Sequence, residues 1–272
     1  MVTFRDFVNG LRQLEIDRSL PALVHTSMSA FGKVHGGSDV IVGALLANFS
    51  GVMMPTFTYK CMLTPEDGPS DNGMSYGSAG DVNKMAEFFR PDLPADPLMG
   101  VVAETLRRHP SAHRSNHPLL SFAGIQVDEA LSQQTLTTPL APIRTLMEAG
   151  GWVLLLGVDH TVNTSIHLAE KLAGRKQFVR WALTPDGVVE CPGFPGCSDG
   201  FPALAPRVEP LVRQVQVGQA IIQALPLPGM VEIAREWIAH DPQAFLCERF
   251  DCDRCQAVRQ ALAAAEDPSS EH

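Results

Sequence analysis

Long apolar runs are the first thing this chain lacks: none approaches the roughly 20 residues needed to cross a bilayer. The opening Met1-Val2-Thr3-Phe4-Arg5-Asp6 also lacks the apolar core of a secretion signal. Both absences point to a cytoplasmic protein with no membrane partner. Basic charge is in deficit. Lysine and arginine number 21 against 30 acidic residues, a formal net charge of -9, which argues against a nucleic acid partner. The same balance suits a cationic small substrate. Internal repeats and low-complexity tracts are missing too. What remains is 272 residues, 45% hydrophobic and 19% charged, enough to bury the core of one large domain.

Cysteine is scarce. In a reducing compartment the six present read as thiols or metal ligands, not disulfides. Cys61 stands alone, and Cys191 and Cys197 bracket a turn-rich loop, Pro192-Gly193-Phe194-Pro195-Gly196. Cys247, Cys252 and Cys255 form a C-x4-C-x2-C cluster. That spacing suits a structural zinc, with Cys197 or Cys191 as fourth ligand. Ordinary reduced cysteines are the alternative, because only one Cys-x2-Cys pair is present.

Hydrophobic periodicity sketches the elements. Phe4, Phe7, Val8, Leu11 and Leu14 predict an amphipathic first helix. Ala22-Leu23-Val24-His25 reads as a strand, and Ser38-Asp39 as the cap of a helix through Val40, Ala44 and Leu45. Gly51 to Pro55 reads as the next buried strand. From Thr58 to about Pro97 the chain turns rich in Gly, Pro, Asp and Asn, with helical spacing only from Asn83 to Phe89; a substrate-covering loop is expected there. Helices are predicted at Gly100–Arg108, Ile143–Ala149, Met230–His240 and Val258–Ala265, with a polar tail from Glu266 to His272. Phe178–Leu183 and Gly187–Glu190 fit two short strands.

This alternation predicts an α/β fold. The expectation is a three-layer α/β/α arrangement with a mainly parallel central sheet, plus a smaller β-rich extension in the C-terminal third. A single domain over 1–272 divides, on this reading, into a core (1–177, including the substrate loop 58–97) and an extension with C-terminal helices (178–272).

The most informative stretch follows the apolar run Trp152 to Val158. There Asn163-Thr164-Ser165-Ile166-His167-Leu168-Ala169-Glu170 opens a helix that carries His167 and Glu170 on one face. A strand's carboxyl end is where open α/β sheets place their chemistry. An imidazole titrating near neutrality is suited to take a proton from an incoming amine, and a neighbouring carboxylate to orient it. Thr164 or Ser165 supplies a hydroxyl for an oxyanion, or else caps the helix.

Several segments, in this order, resemble the aminoglycoside N3-acetyltransferase family, which uses acetyl-coenzyme A. They are Leu23-Val24-His25-Thr26-Ser27, Gly32-Lys33-Val34-His35-Gly36-Gly37 and Met54-Pro55-Thr56-Phe57-Thr58. Then come Gly100-Val101-Val102-Ala103-Glu104, Arg114-Ser115-Asn116-His117-Pro118, and Leu154 to Val158 with Asn163 to Glu170. The resemblance covers roughly residues 20 to 210. It implies acetyl transfer from acetyl-CoA to the 3-amino group of a 2-deoxystreptamine ring, and hence antibiotic resistance. His167, Glu170 and Thr164 are then the catalytic candidates. His25, Thr26, Ser27, Met28, Lys33, Val34, Gly36 and Gly37 are expected to bind coenzyme A, with Ser115 and His117 beside it. Asp67, Asp71, Asp81, Glu104 and Asp199 are expected to meet the ammonium groups of the substrate.

Other readings stay open on the sequence. They are a biosynthetic N-acetyltransferase acting on another amine, a zinc-stabilised binding protein without catalysis, and a cysteine hydrolase using Cys61. His117 is the second candidate base.

Overall fold

The computed structural model describes residues 1–77 and 80–266; the expected tail beyond 266 lies outside the described residues. Ten strands and ten helices are present among them. The strands are β1 (Ala22–Thr26), β2 (Val52–Pro55), β3 (Met62–Leu63), β4 (His113–Arg114), β5 (Phe122–Ile125), β6 (Trp152–Leu156), β7 (Phe178–Thr184), β8 (Gly187–Phe194), β9 (Arg213–Val217) and β10 (Ala220–Pro226). The helices are α1 (Phe4–Gln13), α2 (Gly37–Leu46), α3 (Gly80–Asn83), α4 (Gly100–Arg107), α5 (Asp128–Ser132), α6 (Ala141–Glu148), α7 (Ser165–Leu172), α8 (Ala205–Val208), α9 (Leu227–His240) and α10 (Asp253–Glu266).

Seven strands form the main sheet in the order β4-β5-β2-β1-β6-β10-β9. The centre, β2-β1-β6, is parallel, and only β5 and β10 run against the common direction. Strand alternation divides the core in two. Leu23, Met53, Val153 and Leu155 face one cluster, which holds apolar residues of α5, α6, α7 and α9. Ala22, Val24, Met54, Leu154 and Leu156 face the other, with residues of α1, α2 and α4. The expected three layers are therefore present.

Three expectations need correction. Residue 178 does not bound the core, because β9 and β10 return to complete the main sheet by pairing β10 to β6. The two strands expected at 178–183 and 187–190 do form the smaller sheet, β3-β7-β8, which takes β3 from the 58–97 loop. Helical spacing between Asn83 and Phe89 also misleads. Helix α3 ends at Asn83, and the Glu87 and Phe89 amides then bond to the Lys60 and Leu183 carbonyls, so tertiary pairing overrides local pattern. Finally, α2 starts at Gly37, with Gly36 as its left-handed N-cap (φ 85°). Ser38 is thus inside the first turn, and its hydroxyl bonds Thr105 at 2.7 Å.

Candidate active site

Strand β6 delivers the chain to a one-turn 3-10 helix, His160–Val162, and then to α7. Asn163 ties this junction together. Its Oδ1 accepts from the Ser165 amide at 3.3 Å and from the Ser165 hydroxyl. The capping task expected of Thr164 or Ser165 therefore falls to Asn163. Thr164 is already helical and its hydroxyl makes no capping bond. With Oδ1 so engaged, the Asn163 Nδ2 faces His160 Nδ1 at 3.1 Å and donates to it.

One turn on, His167 and Glu170 meet as the i, i+3 spacing demands. His167 Nδ1 lies 2.7 Å from Glu170 Oε2, and Arg175 donates to Glu170 Oε1 at 2.8 Å. The second Arg175 nitrogen bonds the carbonyls of Pro242 (2.8 Å) and Ala244 (2.6 Å). The Glu170 and Arg175 side chains are each 3% exposed, whereas His167 retains 10%, so the imidazole is the solvent-facing end of a buried relay. Burial by itself pushes the Glu170 carboxyl up. The bonds and charges of His167 and Arg175 outweigh it and hold that carboxyl below its ordinary range. An ionised Glu170 is acceptor-only, so the His167 Nδ1 that meets it carries a proton, and in the neutral ring the lone pair is then on Nε2. The ring packs edge-on against Phe201, with centroids 4.7 Å apart.

The other imidazoles are differently disposed. His117 Nδ1 accepts from the amides of Leu119 (3.1 Å) and Leu120 (3.0 Å), so its proton sits on Nε2, which is buried without a partner. Burial pushes its pKa down to about 4. His25, at the end of β1, is lowered to about 3, chiefly by burial and then by charge repulsion with the nearby His160 imidazole. Its Nε2 and the adjacent Thr26 Oγ1 are likewise buried and unpartnered.

The remaining candidates separate into groups. Ser27 hydrogen-bonds Leu156 through its backbone (3.0 Å) and Ser29 through its hydroxyl (3.1 Å), and Met28 begins the 3-10 turn to Phe31. Val2 bridges to Val34 and donates to the Lys33 carbonyl at 2.8 Å. This tethers the loop that leads to Gly36 and Gly37 at the uncapped start of α2. Ser115 is committed to the backbone of Phe122, accepting from its amide at 2.9 Å. The carboxylates do not converge. Asp71 pairs with Lys176, Asp81 with Lys84, Glu104 with Arg107 and Asp199 with Arg249, while Asp67 lies exposed in the loop.

The cysteines divide as well. Cys197, Cys247, Cys252 and Cys255 place their four sulfurs within 4.8 Å of one another, whereas Cys191 sits in β8, paired opposite Arg180. Cys61 is buried, and burial raises its thiol to about 11. That is the wrong direction for a nucleophile.

Sequence reading missed Arg175, Asn163, His160 and Phe201. Arg175 lies just beyond α7, where no spacing rule links it to Glu170. Asn163 was legible in principle, as an Asn preceding a helix start.

A buried histidine–carboxylate–arginine chain thus stands at the carboxyl end of a mainly parallel sheet, with helices on both faces. The chain belongs to the aminoglycoside 3-N-acetyltransferase family, whose model matches residues 23–239. It is 32% identical over 219 residues to aminoglycoside N(3)-acetyltransferase IV of Salmonella sp, covering 72% of this chain and 84% of that one. Over 184 residues it is 28% identical to a prophage-derived aminoglycoside N(3')-acetyltransferase-like protein of Bacillus subtilis (strain 168), covering 62% of this chain and 64% of that relative. A histidine-to-alanine mutant of AAC(3)-IVa, solved with a gentamicin, superposes with a TM-score of 0.77 at 25% identity, covering 95% and 97% of the chains. AAC-IIIb, solved with CoASH, shares the fold at a TM-score of 0.71 and 22% identity, covering 88% and 96%. Among the described residues no helix is long and apolar enough to cross a membrane.

Proposed function

We propose that this acyltransferase moves an acetyl group from acetyl-CoA to the 3-amino group of a 2-deoxystreptamine aminoglycoside, with direct attack and His167 as general base. The relay His167–Glu170–Arg175 carries the reading. A substrate ammonium must lose a proton before its nitrogen attacks. His167 Nε2 is the free lone pair, and Glu170 balances the imidazolium charge as it forms. The Thr164 hydroxyl, released from capping, is available to the carbonyl oxygen as it takes on negative charge. No covalent acyl-enzyme is needed, since Cys61 is a buried, unionised thiol.

The cosubstrate supplies a thioester, activated because its thiolate leaves readily. The loop Lys33–Gly37 suits its phosphates. The start of α2 has no side-chain cap, and the Gly37 Cβ position meets nothing within 4 Å. His25 and Thr26 offer unpartnered polar atoms to the pantetheine arm. His117 is disfavoured as the base because its Nδ1 is occupied by two amides. The four clustered cysteines fit a structural zinc. The bound partners of the solved relatives, a gentamicin and CoASH, support the substrate assignment.

Thiol release from acetyl-CoA, followed with gentamicin and kanamycin as acceptors, tests the reading. His167→Ala should lose roughly 100-fold or more in kcat. Near-normal turnover in the folded variant would remove His167 from the chemistry. Turnover with simple amines but no aminoglycoside would move the acceptor to another pathway.

A further inference from the structure

Two loops meet at the four-cysteine cluster, and both also support the base relay. Cys197 opens the segment that ends in Phe201, whose ring packs on His167 at 4.7 Å. Cys247 closes the segment that contains the Pro242 and Ala244 carbonyls, the acceptors of Arg175. Between the ligands the loops touch backbone to backbone: a Cβ on Gly200 would collide with the Phe245 carbonyl oxygen. Phe245 itself is held at φ 66°, a left-handed conformation that a bulky side chain resists. Such a backbone persists only where its surroundings over-determine it. Phe245 stacks edge-on against both Phe201 (5.9 Å) and Trp237 (4.7 Å), which continues the contact from His167 outward.

The cluster has the chemistry of a metal centre. Four sulfurs lie within 4.8 Å of one another, and drawing them to about 3.8 Å makes the tetrahedron of a zinc with Zn–S bonds of about 2.3 Å. Backbone amides already donate to two of them, Asp199 N to Cys197 Sγ and Cys247 N to Cys255 Sγ, each at 3.4 Å. Four thiolates on one zinc leave two negative charges. Two guanidiniums stand beside them: Arg254 donates to the Gly196 carbonyl at 2.8 Å and Arg259 to the Cys247 carbonyl at 2.7 Å.

We propose that Cys197, Cys247, Cys252 and Cys255 bind one zinc ion, and that this ion acts as a positioning element for catalysis. It fixes Phe201 against His167 and the 242–244 carbonyls against Arg175. The proposal rests on the His167 relay proposed above and deepens it. The metal exchanges no electrons and touches no substrate. Its binding releases the thiol protons to solvent as four S–Zn bonds form.

Metal analysis of the full-length protein should return one zinc per chain. Cobalt exchange should give the intense sulfur-to-metal charge-transfer bands of a four-thiolate site. Protein stripped to graded occupancy with a mercurial should lose kcat in proportion, roughly 10- to 100-fold when empty. Coenzyme A binding, measured by calorimetry, should be retained, and the hydrogen-bonded imidazole N–H resonance of His167 should vanish. Excess small-molecule thiol, which takes the mercury from the cysteines, followed by zinc should restore both kcat and that resonance, whereas thiol with a chelator should restore neither. Absence of metal, disulfides among these cysteines, or parallel loss of coenzyme binding and kcat would each overturn the proposal. Cys61→Ser should keep its zinc. His167→Ala should also keep it, so a failed base assignment and a failed metal site are read separately.

Discussion

Replacing Glu170 by glutamine perturbs the relay with almost no change in volume. In the native site both carboxylate oxygens accept, one from His167 at 2.7 Å and one from Arg175 at 2.8 Å. Glutamine has one acceptor and a donor group. Arg175 has only donors, so it claims the acceptor, and the amide NH2 turns toward His167 Nδ1. The imidazole then takes its other tautomer, with the proton on Nε2 and no lone pair facing the substrate. A general base contributes about 10²- to 10⁴-fold, and a wrong tautomer removes most of it. We expect kcat to fall about 1000-fold, equivalent to about 4 kcal/mol on the barrier. KM for acetyl-CoA should stay unchanged, because no coenzyme contact is altered. Arg175 also loses its counter-charge while buried, so stability should drop by about 3 kcal/mol. The assay is continuous thiol release at a temperature where circular dichroism shows the variant folded. A folded Glu170→Gln protein with kcat within tenfold of wild type would refute the argument.

Further outcomes follow from the same contacts. Arg175→Met leaves the Glu170 carboxylate buried without its guanidinium and orphans two carbonyls, so thermal unfolding should show a loss of about 3–5 kcal/mol; a loss under about 1 kcal/mol would contradict the burial argument. His117 is held neutral, its pKa lowered to about 4 from 6.5. The unfolded chain binds that proton more readily, and stability is lost as pH falls from about 6.5 through the folded value. His117→Asn keeps an acceptor for the Leu119 and Leu120 amides and removes the titration, so acid unfolding should begin at lower pH, with up to about 3 kcal/mol recovered near pH 4. Glu170, whose carboxyl is depressed, adds stability that is present above the ordinary carboxylate range and lost below it; in Glu170→Gln the steepest acid limb should flatten. Gly36→Ala must hold φ 85° and places Cβ 2.6 Å from the Val40 side chain. It should cost about 1–3 kcal/mol and raise KM for acetyl-CoA more than it lowers kcat.

How much of this was legible in advance depends on how local the cause was. The three central strands were readable because burial on both faces writes continuous apolar runs such as Val153 to Leu156. The His167–Glu170 pair was readable because helical geometry alone brings i and i+3 together. The pairing of the acidic residues was not. Asp71, Asp81, Glu104 and Asp199 each found a nearby cation, and composition says nothing about which acids pair and which face a cleft.

By itself, the sequence determined the α/β class, the strand that feeds the site, the imidazole with its carboxylate, and three cysteines spaced for a metal. Each of these is set by interactions within a few residues, which periodicity and spacing record. Only the tertiary structure decided that β10 closes the main sheet against β6. Folding likewise chose Arg175 and the 242–244 carbonyls as the end of the relay, and Cys197 over Cys191 as the fourth sulfur. Those choices join segments tens of residues apart, where the deciding quantity is which surfaces bury each other, and linear order carries no measure of that.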